Sequence, residues 1–128
     1  MPRIDEIVLD ATKGQPAVEV IFGQVHVGNY RVFLWDAAGQ HPRELAQGTS
    51  ADDVVDTFPI AVPAPALDKC ILSFEGLVQA AEPRAGNVYS VTVTVRQDGA
   101  VCPGGVIQEA GAFADVQALV AFRRFRTT

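Results

Sequence analysis

The residues able to do chemistry in this chain are few and widely spaced. Two histidines, His26 and His41, and two cysteines, Cys70 and Cys102, are present. A cysteine nucleophile acts as the thiolate and needs a histidine or another cation beside it. Neither cysteine lies in a nucleophile signature, and no Gly-x-Ser-x-Gly elbow occurs. His26 falls in a strand-like run and His41 in a loop beside Pro42, so both are expected as ordinary strand and loop residues. The cysteines are expected as two buried thiols. Zinc sites are commonly built from closely spaced Cys-x-x-Cys or His-x-x-x-His pairs, and neither spacing is found. Asp52, Asp53 and Asp56 could offer oxygens to Ca²⁺ but lack the Asp-x-Asp-x-Asp-Gly spacing that curls a loop around the ion. They read as a solvated acidic turn at the start of one helical turn, where Ser50 and Asp53 resemble a capping box. Glu75 and Glu109 are strand carboxylates with nothing to fix their separation. No glycine-rich phosphate loop followed by Lys-Ser/Thr occurs. The expectation is a protein that is not an enzyme, with no catalytic residue, no metal and no cofactor.

The elements that would position any site are strands. Tyr89, Val91, Val93 and Val95 alternate with Ser90, Thr92, Thr94 and Arg96, the period of a strand with one face in a core. That run ends on Asp98-Gly99, suited to the positive φ of a hairpin turn. Segments 4–11, 17–27, 30–36, 68–80 and 106–109 also read as strands. Gly23 marks a change of parity in the second, the signature of a bulge. Gly28-Asn29 reads as a two-residue turn joining a hairpin over 20–36. Residues 37–67 read as an irregular insert, with three alternating prolines, Pro59, Pro63 and Pro65, confined to an edge or an extended linker. The segment 113–125 fits strand better than helix. The count is about eight strands with at most one short helical turn. The fold class is therefore all-β, a single antiparallel β-sandwich domain over 1–128.

The totals narrow the partners. With 128 residues, 48% hydrophobic and 20% charged, the chain can bury a core without disulfides or metal. A net charge of -5 opposes binding to nucleic acid or to an anionic membrane. No apolar run reaches signal-peptide or membrane-span length, which predicts a soluble, cytoplasmic protein. The preference for Arg over Lys, with abundant Ala, Val and Gly, suggests a bacterial source.

The stretches 30–39 (Tyr-Arg-Val-Phe-Leu-Trp-Asp-Ala-Ala-Gly) and 89–99 (Tyr-Ser-Val-Thr-Val-Thr-Val-Arg-Gln-Asp-Gly) resemble strands of immunoglobulin-like and fibronectin type III sandwiches. The resemblance implies a shared architecture. Trp35 precedes both cysteines, so the Cys–Trp–Cys order of immunoglobulin domains is lacking. The middle region also spaces the two Tyr strands too widely for a standard fibronectin module.

Three candidate binding features remain. The Ser90, Thr92, Thr94 and Arg96 face is a polar sheet surface beside the Pro103-Gly104-Gly105 break. Trp35, expected as a core anchor, would stack a sugar if exposed. Arg123, Arg124 and Arg126 interleave with Phe122 and Phe125 on a terminal strand, either adhesive or protective. Phe33, Trp35, Phe58 and Phe125 together exceed what one core needs. The expected function is a protein-interaction or assembly module, binding another protein or a second copy. The alternative is a carbohydrate-binding, lectin-like sandwich, and the third reading is a small hydrolase or isomerase.

Overall fold

The computed structural model describes residues 4–23, 27–51 and 55–128, and within these the chain is almost wholly β. Nine strands are found: β1 Glu6–Leu9, β2 Ala17–Phe22, β3 Val27–Trp35, β4 Arg43–Ala51, β5 Val55–Pro59, β6 Ile71–Gln79, β7 Asn87–Gln97, β8 Ala100–Phe113 and β9 Val116–Thr127. They form two sheets, ordered β1-β9-β6-β3-β4 and β5-β2-β7-β8. Every pairing is antiparallel except β1 with β9, which is parallel. The architecture is sandwich-like.

Alternation explains the core. Val18, Val20 and Phe22 of β2, Tyr30, Val32 and Leu34 of β3, and Val91, Val93 and Val95 of β7 are buried between the sheets. Phe125, Ile7 and Leu9 are fully buried where β1 meets β9. At about 25 cal/mol per Å² of apolar surface removed from water, this shared interior is the main source of stability. The β7–β8 hairpin turns at Asp98 and Gly99, with φ of +49° and +81°, as the Asp-Gly dipeptide predicts. The segment 113–125 is not helix, but it is not one strand either: Phe113 ends β8, Ala114 and Asp115 form the bend, and Val116 opens β9.

Several expectations are corrected. Gly28-Asn29 is no turn but lies inside β3, and β2 and β3 belong to opposite sheets. A Cβ on Gly28 would enter the Phe22 ring, so the glycine makes room for a core aromatic across the sandwich. Residues 37–67 are no irregular insert, because β4 and β5 lie within them, and β4 pairs with β3 while β5 pairs with β2. Of the three prolines only Pro59 lies at an edge, ending β5, whereas Pro63 and Pro65 belong to a helical turn. The one helical turn falls at Ala64–Leu67, with proline at its start, and Thr49 and Ser50 are in β4. Gln24, Val25 and His26, and Asp52 and Asp53, lie outside the described residues, and with them part of the predicted bulge, one histidine and most of the acidic turn.

Two buried amides hold the ends together. Gln97 donates from Nε2 to the carbonyls of Asp10 and Gly14, both at 3.0 Å, and accepts from the Asp10 amide at 2.9 Å. Asn87 donates to the carbonyls of Glu82 and Ala114, both at 3.0 Å. Gln97 ties the β1–β2 loop to a strand far away in sequence, and Asn87 ties the start of β7 to the loop before it and to the bend between β8 and β9.

Candidate interaction surface

Cross-strand neighbours share a face, so the register defines the surfaces. On the outer side of the five-stranded sheet, Phe33 lies opposite Ser73, which lies opposite Phe122. In the same way Trp35, Ile71 and Arg124 form one rank, Arg31, Glu75 and Val120 another, and Asn29, Leu77 and Ala118 a third. Seven of these residues are apolar, and the five large ones that are not buried, Phe33, Trp35, Leu77, Val120 and Phe122, stand away from the core. Val120 is 58% exposed, Phe122 46% and Leu77 37%, and Val116 at the end of β9 is 47% exposed. Phe33 and Trp35 are half-buried by their neighbours.

Polar groups fix and rim this band. The Trp35 indole Nε1 donates to Ser73 Oγ at 2.8 Å, which orients the ring on the sheet. The Arg31 guanidinium sits 4.9 Å over the Phe33 ring, and its Nε donates to Glu44 Oε1 at 3.0 Å. Arg124 donates to the carbonyls of Lys69 at 2.7 Å and Ala37 at 3.2 Å, fixing the loop below Trp35. Toward the other end of β3 an open groove of about 560 Å³ crosses the strands. Asn29, Arg31, Gln47, Thr49, Glu75 and Leu77 wall it, over the backbone of Tyr30, Gly48 and Gly76. Thr49 Oγ1 donates to Asn29 Oδ1 at 2.8 Å across it.

The structure thus moves Trp35 from the expected core position to the outer face. Parity decides this: Tyr30, Val32 and Leu34 occupy the inner side of β3, and Phe33 and Trp35 take the other. The supposed aromatic surplus divides. Phe125 is core, Phe58 packs half-buried against the core, and Phe33 and Trp35 face outward.

The polar face of β7 lies on the other sheet, remote from Trp35 in the register. Its side chains are largely engaged within the molecule. Ser90 Oγ donates to the Gly23 carbonyl at 3.2 Å, and Thr94 is buried. Arg96 approaches Glu19 at 3.2 Å through Nε, close enough for charge attraction but not aligned as a hydrogen bond. It also donates to the Gly99 carbonyl at 3.3 Å. The three C-terminal arginines do not act as one patch. Arg124 and Arg126 share the outer parity of β9, Arg126 pairs with Glu6 at 3.5 Å, and Arg123 has the opposite parity.

The remaining chemistry-bearing residues give a loop pair and two thiols. His41, at φ +54°, places Nδ1 2.7 Å from Asp36 Oδ2. That bond, with backbone amides of Gln40 and Ala38, holds the Asp36 carboxyl below its ordinary range. Cys70 and Cys102 are free. Burial pushes both thiols up, and for Cys70 the nearby Asp36 charge adds to it. Glu75 and Glu109 are on different sheets. Asp56 bonds the Tyr30 hydroxyl, which burial first and Asp56 second push up to about 12. Among the described residues no helix is long and apolar enough to cross a membrane.

Comparison with family models, with curated proteins and with solved structures finds no match to this chain. The class that fold and surface define is accordingly the coarse one: a sandwich-like all-β protein with an apolar outer sheet face.

Proposed function

We propose that this chain is a non-catalytic protein-interaction or assembly module that works through the outer face of its five-stranded sheet. The observation that carries the reading is the band of Phe33, Trp35, Leu77, Val120 and Phe122 on a face that covers no core of its own. Contiguous exposed apolar surface, rimmed by charge and rich in aromatics, is the ordinary composition of a protein-binding site. An immunoglobulin-like or fibronectin-like strand arrangement and residence in the reducing cytoplasm belong to the same proposal. Two antiparallel-rich sheets support the first and two free thiols the second.

The test is chemical cross-linking in cells of the source organism, with wild type and a Phe33→Glu variant of equal thermal stability. The expected result is a cross-linked species with wild type that falls at least tenfold with the variant. Equal labelling of both proteins would sink the reading.

A carbohydrate-binding domain is the second reading, favoured by the groove of Asn29, Arg31, Gln47, Thr49 and Glu75 on the same face as the half-exposed Trp35. It predicts a hit on a glycan array and a change in Trp35 fluorescence on adding that glycan. The hydrolase reading has less support, since the Cys70 thiol is pushed up rather than toward the thiolate a nucleophile needs.

A further inference from the structure

We infer that the outer face of the five-stranded sheet docks on the same face of a second copy of this chain, giving a two-fold dimer of stacked sheets. The inference rests on the interaction reading above and names the partner.

The spacing of the ranks carries the argument. Phe33, Ser73 and Phe122 form the middle rank of the apolar band. Two residues along the strands to one side lie Trp35, Ile71 and Arg124, and two residues to the other lie Arg31, Glu75 and Val120. A two-fold axis in the plane of contact, running along the middle rank, turns each flanking rank onto the other. Phe33 and Phe122 then meet their own copies. Trp35 meets the partner's Arg31, a cation over an indole ring. Arg124 stands over the partner's Val120, and the partner's Glu75 is one strand away, about 4.8 Å. That gap is within reach of two long side chains, and by symmetry the contact between Arg124 and Glu75 occurs twice. The strands of the two copies run close to aligned, as in ordinary packing of sheet on sheet.

Charge and area select a second copy as the occupant. By register the face carries Arg31, Arg124 and Arg126 against Glu6, Glu44 and Glu75 and is neutral, whereas the whole chain has a net charge of -5. Two copies therefore approach here without the repulsion they meet elsewhere. Arg31 pairs with Glu44 and Arg126 with Glu6 inside the chain. Among the described residues Glu75 and Arg124 have no ion-pair partner, and they are of opposite sign. Arg124 uses only Nη1 on the loop carbonyls, which leaves the rest of its fork. Glu44 ends the middle rank at the sheet edge, where its bond to Arg31 neutralises it. The face from the Leu77 rank to the Trp35 rank, across β4, β3, β6 and β9, covers roughly 500 Å² in projection. Contoured by its side chains, it approaches the ~800 Å² that each partner gives to a standard interface.

Sedimentation of the full chain over a wide concentration range tests this. Wild type should show a monomer–dimer equilibrium. Phe122→Glu should abolish the dimer by setting two carboxylates against one another at the axis. Val88→Glu, at a similarly exposed position on the other sheet, should leave it unchanged. Glu75→Arg and Arg124→Glu should each raise the dissociation constant about tenfold, since either one sets like charges opposite one another twice. The double variant should dimerise about tenfold more tightly than either single one. Within one copy the two positions lie four residues apart along neighbouring strands, roughly 14 Å and beyond a Debye length, so this coupling reports contact between copies. The charge cycle keeps the inference falsifiable if Phe122→Glu fails to fold. A wild type that stays monomeric throughout overturns it. So does a dimer that survives Phe122→Glu or is lost with Val88→Glu, or a double variant no tighter than the single ones. A monomeric wild type beside a Phe33-dependent cross-link to a different protein leaves the interaction reading standing, so the two failures are separate results.

Discussion

Tyr30 combines a buried ring with a hydroxyl bonded to Asp56, and its ionisation is accordingly tied to the fold. Its pKa rises to about 12 in the folded chain. A tyrosine in an unfolded chain titrates near about 10. The stability this contributes is fully present below the unfolded value and is lost as pH rises from there through the folded one. Denaturant unfolding followed between those limits should show a falling stability for wild type and a flatter profile for Tyr30→Phe. At neutral pH the same substitution should cost about 1 kcal/mol for the lost hydrogen bond. Asp36 has the opposite sign. Its folded pKa is lowered, chiefly by the bond to His41, so its contribution holds above the unfolded value and disappears as pH falls through the folded one. A carboxyl titration by NMR should place Asp36 below the ordinary carboxylate range, and His41→Ala should move it back toward that range. The His41–Asp36 pair joins residues of one short loop, yet His41 gives no hint of it in the sequence, because a left-handed backbone turns its ring toward the carboxylate.

At the scale of elements, alternation was readable wherever one face was buried and the other wet. β7 shows the alternation of residue types from Tyr89 to Arg96, although its polar face is half-buried and Thr94 is buried outright, and β2 shows it from Val18 to Phe22 with its outer face half-buried. Reading failed where a local signal had a distant cause. Gly28 carries a turn-like dipeptide, but its missing side chain is required by the Phe22 ring from the facing sheet. β4 leaves no pattern in the sequence because Arg43–Ala51 is polar on both sides over much of its length and lies at an edge, where little burial imposes a period. The side of Trp35 is hidden in the sequence for a related reason: both faces of β3 are apolar near its end, so parity alone does not say which is inside. Gln97 ends a strand in the sequence and says nothing of its three bonds to residues about the β1–β2 loop. Replacing it tests how much that tie matters. Gln97→Leu should lower stability by about 1–3 kcal/mol, because the Asp10 and Gly14 groups lose their partner in a partly buried site. Equilibrium unfolding in urea reads this directly, and a change under 0.5 kcal/mol would show that water replaces the amide.

For the whole molecule, the two sheets divide the apolar residues into those that hold the fold and those that do not. Phe125 is fully buried, so Phe125→Ala should cost about 3–5 kcal/mol. Val120 and Phe122, on the same strand, are about half exposed. Their joint replacement by threonine should leave stability within about 1 kcal/mol. Thermal unfolding of the two variants side by side separates the classes, and a large loss in the threonine variant would mean that the outer band belongs to the core. The candidate surface was legible in the sequence only as an excess of aromatics. Its location needed the register, since Phe33, Leu77 and Val120 come from three strands separated by dozens of residues.

The parallel pairing of β1 with β9 has a consequence in time. The earliest strand in the order is completed by the latest, and the hydrogen bonds from Arg124 to Asp5 and from Thr128 to Leu9 span nearly the full chain. During synthesis β1 must wait, unpaired along its β9 side, until β2 to β8 and then β9 have left the ribosome. Contacts this remote in sequence raise the entropic cost of reaching the transition state, and folding over such a topology belongs in the range of milliseconds to seconds.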